Sequence, residues 1–281
     1  MENKIYLKDD DLEKFFKVRI IQCDNHNANA ELFIHDDLVF KIYHGDNTYN
    51  KFNINVINNI FSKLSFLKKI NELVLPKDLI IYNNNIVGFS MPYINGITLE
   101  EIINENLYSD YDIKKIFINL LNIINKFKDL PFKFFIGDMH EKNIIIDKNG
   151  NINIIDPDSF IIDNKKLCIN NEYLVGKYIN HFYNNSELKK IQISADYYSL
   201  LCIVLNYAFK DIIEDKSEPI SWIKKDIQFK ELYPILNRIN ENFVLLESDI
   251  NEIFDFKNNL KYEYKDNKKL LKEIKQIKKL L

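Results

Sequence analysis

IGDMHEKNIIIDKNGNINIIDPDSF, residues 136–160, sets Asp138, Asn143 and Asp156 into an otherwise apolar, strand-forming stretch. Its IIID-KNG-NINIID portion reads as a tight hairpin turning at Asn149-Gly150, since such a pair between apolar runs tolerates the positive φ of hairpin turns. The ends of that hairpin carry Asp138 and Asn143 on one side and Asp156 on the other. A carboxylate, an amide and a second carboxylate so placed could hold a divalent cation through oxygen while leaving one carboxylate to face a substrate. Mg²⁺ favours this arrangement, taking one or two carboxylates together with substrate phosphates. Singly, each residue has an ordinary reading: Asp138 caps a turn, Asn143 belongs to the Asn-rich background, and Asp156 ends a strand.

Towards the N-terminus, KVRIIQC (17–23) and ELFIHDDLVFKIY (31–43) are rich in β-branched and aromatic residues, with HDD as a turn. They predict three antiparallel strands. In residues 49–70, Phe52, Val56, Ile60, Leu64 and Leu67 recur at helical spacing. Residues 73–94, LVLPKDLIIYNNNIVGFSMPYI, add two strands around an Asn-rich turn at 83–85. Residues 1–95 are thus expected to form a small antiparallel sheet with one helix.

After Gly96 the pattern becomes helical. Thr98 and Glu101 have capping-box spacing, and Ile113, Ile116, Phe117, Leu120, Ile124 and Phe127 share one face over 111–129. YYSLLCIVLNYAF (197–209) is short of the roughly 20 residues of a membrane span and reads as a buried helix. Residues 96–281 are expected to form a second, mainly helical unit, joined to the first through PYINGIT at 92–98.

The spacing D-x-x-x-x-N, followed by an Asp after an apolar strand, resembles the catalytic and metal-binding loops of the protein-kinase-like superfamily. It stands here as GDMHEKN and IDPDS, and Lys41 in LVFKIY resembles the phosphate-binding lysine. VGFSMPYINGITLEEI looks like a kinase hinge, with Met91 as gatekeeper and Pro92 to Ile94 offering backbone groups to adenine. SADYYSLLCIVL resembles the central helix of the helical lobe, in which Asp196 steadies the catalytic loop. The resemblance covers residues 17–209 and implies a two-lobed α+β fold that binds ATP with Mg²⁺ or Mn²⁺. In that reading Asp138 orients the attacking hydroxyl and accepts its proton, Asn143 and Asp156 hold the metal, and Lys41 anchors the α- and β-phosphates. His140 either takes part in catalysis or braces the loop. Asp158 is either a second metal ligand or a turn residue.

KIYH together with IDPDSF is most similar to compact bacterial Ser/Thr protein-kinase-like proteins, whereas GDMH also resembles aminoglycoside and choline phosphotransferases. The acceptor is accordingly a protein or a small molecule. A pseudokinase serving as an interaction module is a third reading, because the pattern has gaps. The region matching the Gly-rich phosphate loop, CDNHNANAE (23–31), has no glycine; Asn25, Asn27 and Asn29 could partly substitute, as Asn tolerates left-handed backbone. No glutamate lies between Lys41 and Glu72 to pair with the lysine, leaving Asn58, Asn59 or Asp46 as stand-ins. Gly137 replaces the arginine that many protein kinases carry before the catalytic Asp. DPD replaces D-F-G, and no A-P-E follows in the 35 residues between Phe160 and Asp196.

A formal net charge of −3 and a pI near 6.0 give no footprint for nucleic acid. Cys23, Cys168 and Cys202 show no paired spacing, so neither a disulfide framework nor a zinc site is expected. The start, MENKIYLKDDDLEKFF, lacks a secretory apolar core, and the expected location is cytoplasmic. Residues 265–281 carry seven lysines against two acids, with Leu270, Ile274, Ile277 and Leu281 at helical spacing. This tail is either a helix packed on the protein or a basic amphipathic element that meets a partner or an anionic membrane surface.

Overall fold

The protein is described by a computed structural model over residues 3–8, 30–43, 48–163, 194–238 and 243–260. Outside those residues lie the expected strand at 17–23, the loop residues 23–29 with Cys23, then Asp46, Cys168 and the basic tail 265–281. The described chain is mixed α+β, with a five-stranded sheet in its N-terminal part and a mainly helical C-terminal part.

Period-two patterning builds the sheet. Strands β1 (Asn3–Leu7), β2 (Ala30–His35), β3 (Leu38–Tyr43), β4 (Asp78–Tyr82) and β5 (Asn85–Pro92) lie in the order β1-β4-β5-β3-β2. The β2–β3 turn places Asp36 at φ 52°, and the β4–β5 turn places Asn83 and Asn84 at 48° and 62°. Asp and Asn accept such left-handed backbone at low cost, so the two turns fall where the HDD and NNN sequences predict them.

Two expectations are corrected here. The charged start supplies an edge strand: β1 runs parallel to β4, from Asn3 opposite Asp78 to Leu7 opposite Tyr82. Ile5 and Leu7 join Phe33, Phe40 and Ile80 on one face of the sheet, while Lys4 and Tyr6 face water. The sheet is therefore mixed and not wholly antiparallel. Likewise the presumed join at 92–98 contains a strand, β6 (Gly96–Thr98), paired with residues 145–147.

Val39, Lys41 and Tyr43 alternate onto the other face of β3. That face packs Val39 and Tyr43 with Phe89, Met91 and helix α1 (Thr48–Leu67), through Val56, Ile57 and Ile60. After α1 the chain is stitched to the C-terminal part: Val74 N–H donates to Ile154 O at 2.9 Å, and Ile154 N–H donates to Glu72 O at 2.7 Å. One continuous apolar core spans both parts.

Helix α2 (Leu99–Asn104) opens with the expected capping box of Thr98 and Glu101. Helix α3 (Asp110–Lys126) buries the apolar stripe from Ile113 to Ile124. Helix α4 (Ser194–Ala208) is buried along its whole length, which suits its apolar run from Leu200 to Leu205 and encloses four polar residues, Ser194, Asp196, Ser199 and Asn206. Short helices α5 (Pro219–Ile223) and α6 (Tyr233–Asn237) follow, and α7 covers residues 247–260.

Candidate active site

Two short ladders hold the candidate residues. Strands β7 (Phe134–Phe135) and β10 (Ile161–Ile162) pair antiparallel, and between them β8 (Ile144–Asp147) and β9 (Ile152–Ile154) form the predicted hairpin. Its turn spans Asp147 to Asn151, with Gly150 at φ +82° and the Asp147 carboxylate accepting the N–H groups of Asn149 and Asn151. Residues 136–143 and 155–160 are consequently the two loops joining one ladder to the other. Each must lie beside the other at the same end of the hairpin.

The hairpin register continues one step further, with Ile155 N–H donating to Asn143 O at 3.0 Å. This brings Asn143 beside the residue preceding Asp156. Asn143 Nδ2 donates to Asp138 O at 3.0 Å, which leaves its Oδ1 to serve as an acceptor. Asp156 adopts a left-handed conformation at φ 69°, ψ 57°, redirecting the chain into the 157–159 turn.

Gly137 governs the other loop. Asp138 N–H donates to Ile136 O at 3.0 Å across a γ-turn with Gly137 at φ +80°, a conformation that glycine adopts without steric cost. A methyl group at Gly137 would lie 2.2 Å from Ser159 O. Arginine at this position is excluded by both backbone angle and space. Ser159 ties the loops together, its Oγ donating to Ile136 O at 3.1 Å and Asp156 O at 2.8 Å. From below, the buried Asp196 carboxylate accepts Ile136 N–H at 2.9 Å and also the N–H of Gly137. Burial pushes this carboxyl up to about 7, while the two backbone donors act in the opposite direction.

Within this frame Lys41 reaches from β3 to both acids of DPD, its Nζ 2.5 Å from Asp156 Oδ1 and 2.8 Å from Asp158 Oδ1. The Tyr43 hydroxyl donates to Asp158 Oδ2 at 2.8 Å. Burial alone would lower the Lys41 ammonium, but the Asp156 and Asp158 charges outweigh it and hold it above its usual range. Burial pushes Asp156 up, yet the Lys41 charge and hydrogen bond bring it below the ordinary carboxylate range. Asp158 moves the other way, lifted by burial and by the negative charge of Asp156.

His140 lies beside Asp138. Its Nδ1 accepts Lys142 N–H at 3.2 Å, so the ring proton sits on Nε2, which lies 3.5 Å from Asp138 Oδ2. The imidazole is also within electrostatic reach of Asp156. Among the described residues no group of three or more His, Cys, Asp or Glu is arranged to hold a metal by itself. Asn143 and Asp156 instead offer the sparse oxygen set that suits an ion completed by water and phosphate oxygens.

The expected hinge residues sit at the end of β5. The Met91 side chain is in the core opposite Val39. Tyr93 N–H donates to Asp37 O at 2.8 Å, towards β3. By strand alternation the Pro92 carbonyl points to the opposite side. Pro92 is exposed, and Ile94 is half-buried against the core.

The structure thus brings together Lys41, Asp138, His140, Asn143 and Asp156, and adds residues to which the sequence assigns no such part: Tyr43, Ser159 and the Gly137 turn. Asp158, expected as a second metal ligand or a turn residue, stands in the 157–159 turn and is in addition the buried partner of Lys41. Tyr43 could have been found from its place two residues after Lys41 on the same strand face. Ser159 carries no comparable signal. No protein-family model matches the chain, and no curated protein matches it.

Proposed function

We propose that the chain is an ATP-dependent phosphotransferase with a two-lobed, protein-kinase-like fold, its sheet part holding nucleotide and its helical part carrying the catalytic and metal loops. The observation that carries this reading is the convergence of Lys41 on Asp156, from 115 residues away, at the loop junction that also holds Asp138, His140 and Asn143. In this reading Lys41 anchors the α- and β-phosphates, and the carbonyl of Pro92 receives the adenine amino group.

The donor set of Asn143 Oδ1 and the Asp156 carboxylate fits Mg²⁺ or Mn²⁺. Such an ion, bound with the nucleotide, neutralises charge on the transferring phosphoryl group. Asp138 orients the acceptor hydroxyl and takes its proton, and the Nε2–H of His140 fixes the direction of that carboxylate. Phosphoryl transfer depends chiefly on positioning and charge neutralisation, and a few rigidly held side chains suffice for it. Serine or threonine of a protein is the acceptor we infer first; a hydroxylated small molecule uses the same groups.

Transfer of the ATP γ-phosphate to the protein itself and to generic protein acceptors, with Mg²⁺ or Mn²⁺, tests the reading. Asp138→Asn is expected to lower the rate by about 10²–10⁴-fold and to leave nucleotide affinity nearly intact. Label on protein that disappears in the variant supports a protein kinase, whereas turnover only with hydroxylated metabolites moves the acceptor to small molecules. Turnover in Asp138→Asn equal to that of the wild type overturns the mechanism.

A further inference from the structure

Lys41 meets no acid from helix α1, because Asp46 is the only acid between Lys41 and Glu72 and it precedes the helix. An ammonium whose side chain is only 16% exposed still requires a counter-charge. Two carboxylates supply it, and they are not equivalent. The Asp156 side chain is 29% exposed and borders Asn143 and His140, on the side where nucleotide would enter. That of Asp158 is 4% exposed, and both its oxygens are engaged by strand β3, Oδ1 by Lys41 and Oδ2 by the Tyr43 hydroxyl. Lys41 and Tyr43 sit two residues apart on one strand face, so a single carboxylate can span them. Pro157 and Ser159 flank Asp158 in a turn whose backbone bonds, Ser159 N–H to Asp156 O at 3.1 Å and Phe160 N–H to Pro157 O at 3.1 Å, fix its direction.

We propose that Asp158, clamped by Tyr43, is the positioning residue for Lys41 and takes the part a helix carboxylate plays in kinases, leaving Asp156 to turn towards a metal–nucleotide complex. The assignment rests on the phosphotransferase reading of the same site. It has a mechanical consequence: exchange of Lys41 for a metal at Asp156 leaves the lysine still paired, so no buried charge is stranded. The position of Lys41 then depends on the contact between β3 and the 157–159 turn and not on the placement of α1.

The test uses the full chain as wild type, Asp158→Asn and Tyr43→Phe. Initial rates of ATP turnover are measured across ATP and Mg²⁺ concentrations, and Lys41 acylation by an amine-selective reagent is followed by peptide mass spectrometry. Asp158→Asn is expected to lower kcat about tenfold or more, and Tyr43→Phe to lower it by a smaller factor. The Mg²⁺ midpoint is unchanged in both, and Lys41 acylation becomes faster in both. A raised Mg²⁺ midpoint with kcat restored at saturating Mg²⁺ would make Asp158 a metal ligand and overturn the proposal, as would wild-type rates in both variants. Should Asp158→Asn not fold, Tyr43→Phe decides alone: unchanged kcat and acylation refute the clamp. Should the wild type not turn over ATP, the phosphotransferase reading fails while acylation still reads the hold of Asp158 on Lys41, and acylation unchanged from wild type overturns it.

Discussion

Replacing Gly137 by alanine tests whether the two loops touch as described. Gly137 has φ +80°, and left-handed backbone costs a residue with a Cβ roughly 1–2 kcal/mol. The added methyl would also lie 2.2 Å from Ser159 O and 3.3 Å from its carbonyl carbon. These are backbone atoms, held by the bonds of Ser159 to Asp156 and Ile136, and cannot swing aside as the end of a side chain does. Forcing such a contact apart costs about 1–3 kcal/mol, giving a total of about 2–5 kcal/mol. At roughly 2–4 °C per kcal/mol for a chain of this size, the melting temperature falls by roughly 4–20 °C. Gly150 is the internal control, because it has φ +82° with nothing within 4 Å. Gly150→Ala therefore carries the backbone cost alone, roughly 1–2 kcal/mol. Thermal unfolding of both variants by circular dichroism at one scan rate, paired with phosphotransfer rates, separates the contributions. Only Gly137→Ala is expected to lose rate, since pushing Ser159 away from Gly137 displaces Asp138 from Asp156. Equal melting temperatures for the two alanine variants would refute the close approach of the loops.

On the proposed metal role, Asp156→Asn removes a charged oxygen ligand and is expected to weaken Mg²⁺-dependent nucleotide binding by about 10- to 100-fold; calorimetry with and without Mg²⁺ checks it, and equal affinities dismiss the metal role. Asp196 titrates at about 7 in the folded protein against 3.8 in an open chain. Between those values the folded state keeps a proton that the unfolded chain has lost, so this residue makes stability fall as pH rises from about 4 to about 7, with no further loss above. Melting temperatures of wild type and Asp196→Asn compared across that range reveal the slope, and parallel curves refute the assignment. Thr98→Ala removes the side chain that accepts Glu101 N–H at 3.1 Å and costs about 1 kcal/mol. Thr98→Ser retains the bond, and equal unfolding midpoints for the Ala and Ser variants would show that the box contributes nothing.

What the sequence revealed of the fold depends on how local each cause is. The hairpin at 144–154, the Asp36 and Asn83-Asn84 turns, the Thr98 box and the stripe of α3 arise from residues within a few positions of one another, and all were legible. Strand β1 was not, because its two inward residues, Ile5 and Leu7, are embedded among charges and only the partner β4 gives them a face to cover. Strand β6 is three residues long and exists only through pairing with β8. At the site, Lys41, Asp138, Asn143 and Asp156 stood out through spacing and chemical type. The Lys41–Asp158–Tyr43 contact did not, since it joins positions 115 and 117 residues apart and nothing in the local pattern of either segment announces the other. Asn58, Asn59 and Asp46, the stand-ins that the sequence offers for a helix acid, all lie shortly after Lys41 in the chain; the acids that pair with it come from the far loop.

That displacement of the counter-charge sets the charge balance at the site. One ammonium faces two carboxylates in a partly dehydrated space, which leaves an excess of one negative charge at the β3–loop junction. That charge is what remains after Lys41 is counted, and burial makes it costly. On the proposed reading, a divalent cation arriving with nucleotide phosphates would remove that cost at Asp156, the more exposed of the two acids, and the phosphates would in turn balance Lys41. Lysine and metal would therefore be arranged by the same short turn, residues 156–159, which Ser159 and Asp196 tie to the loop of Asp138. A substitution that breaks the Ser159 or Asp196 bonds between this turn and the loop of Asp138 is expected to shift metal affinity and hydroxyl orientation together, whereas a change confined to the outer face of α1 leaves both intact.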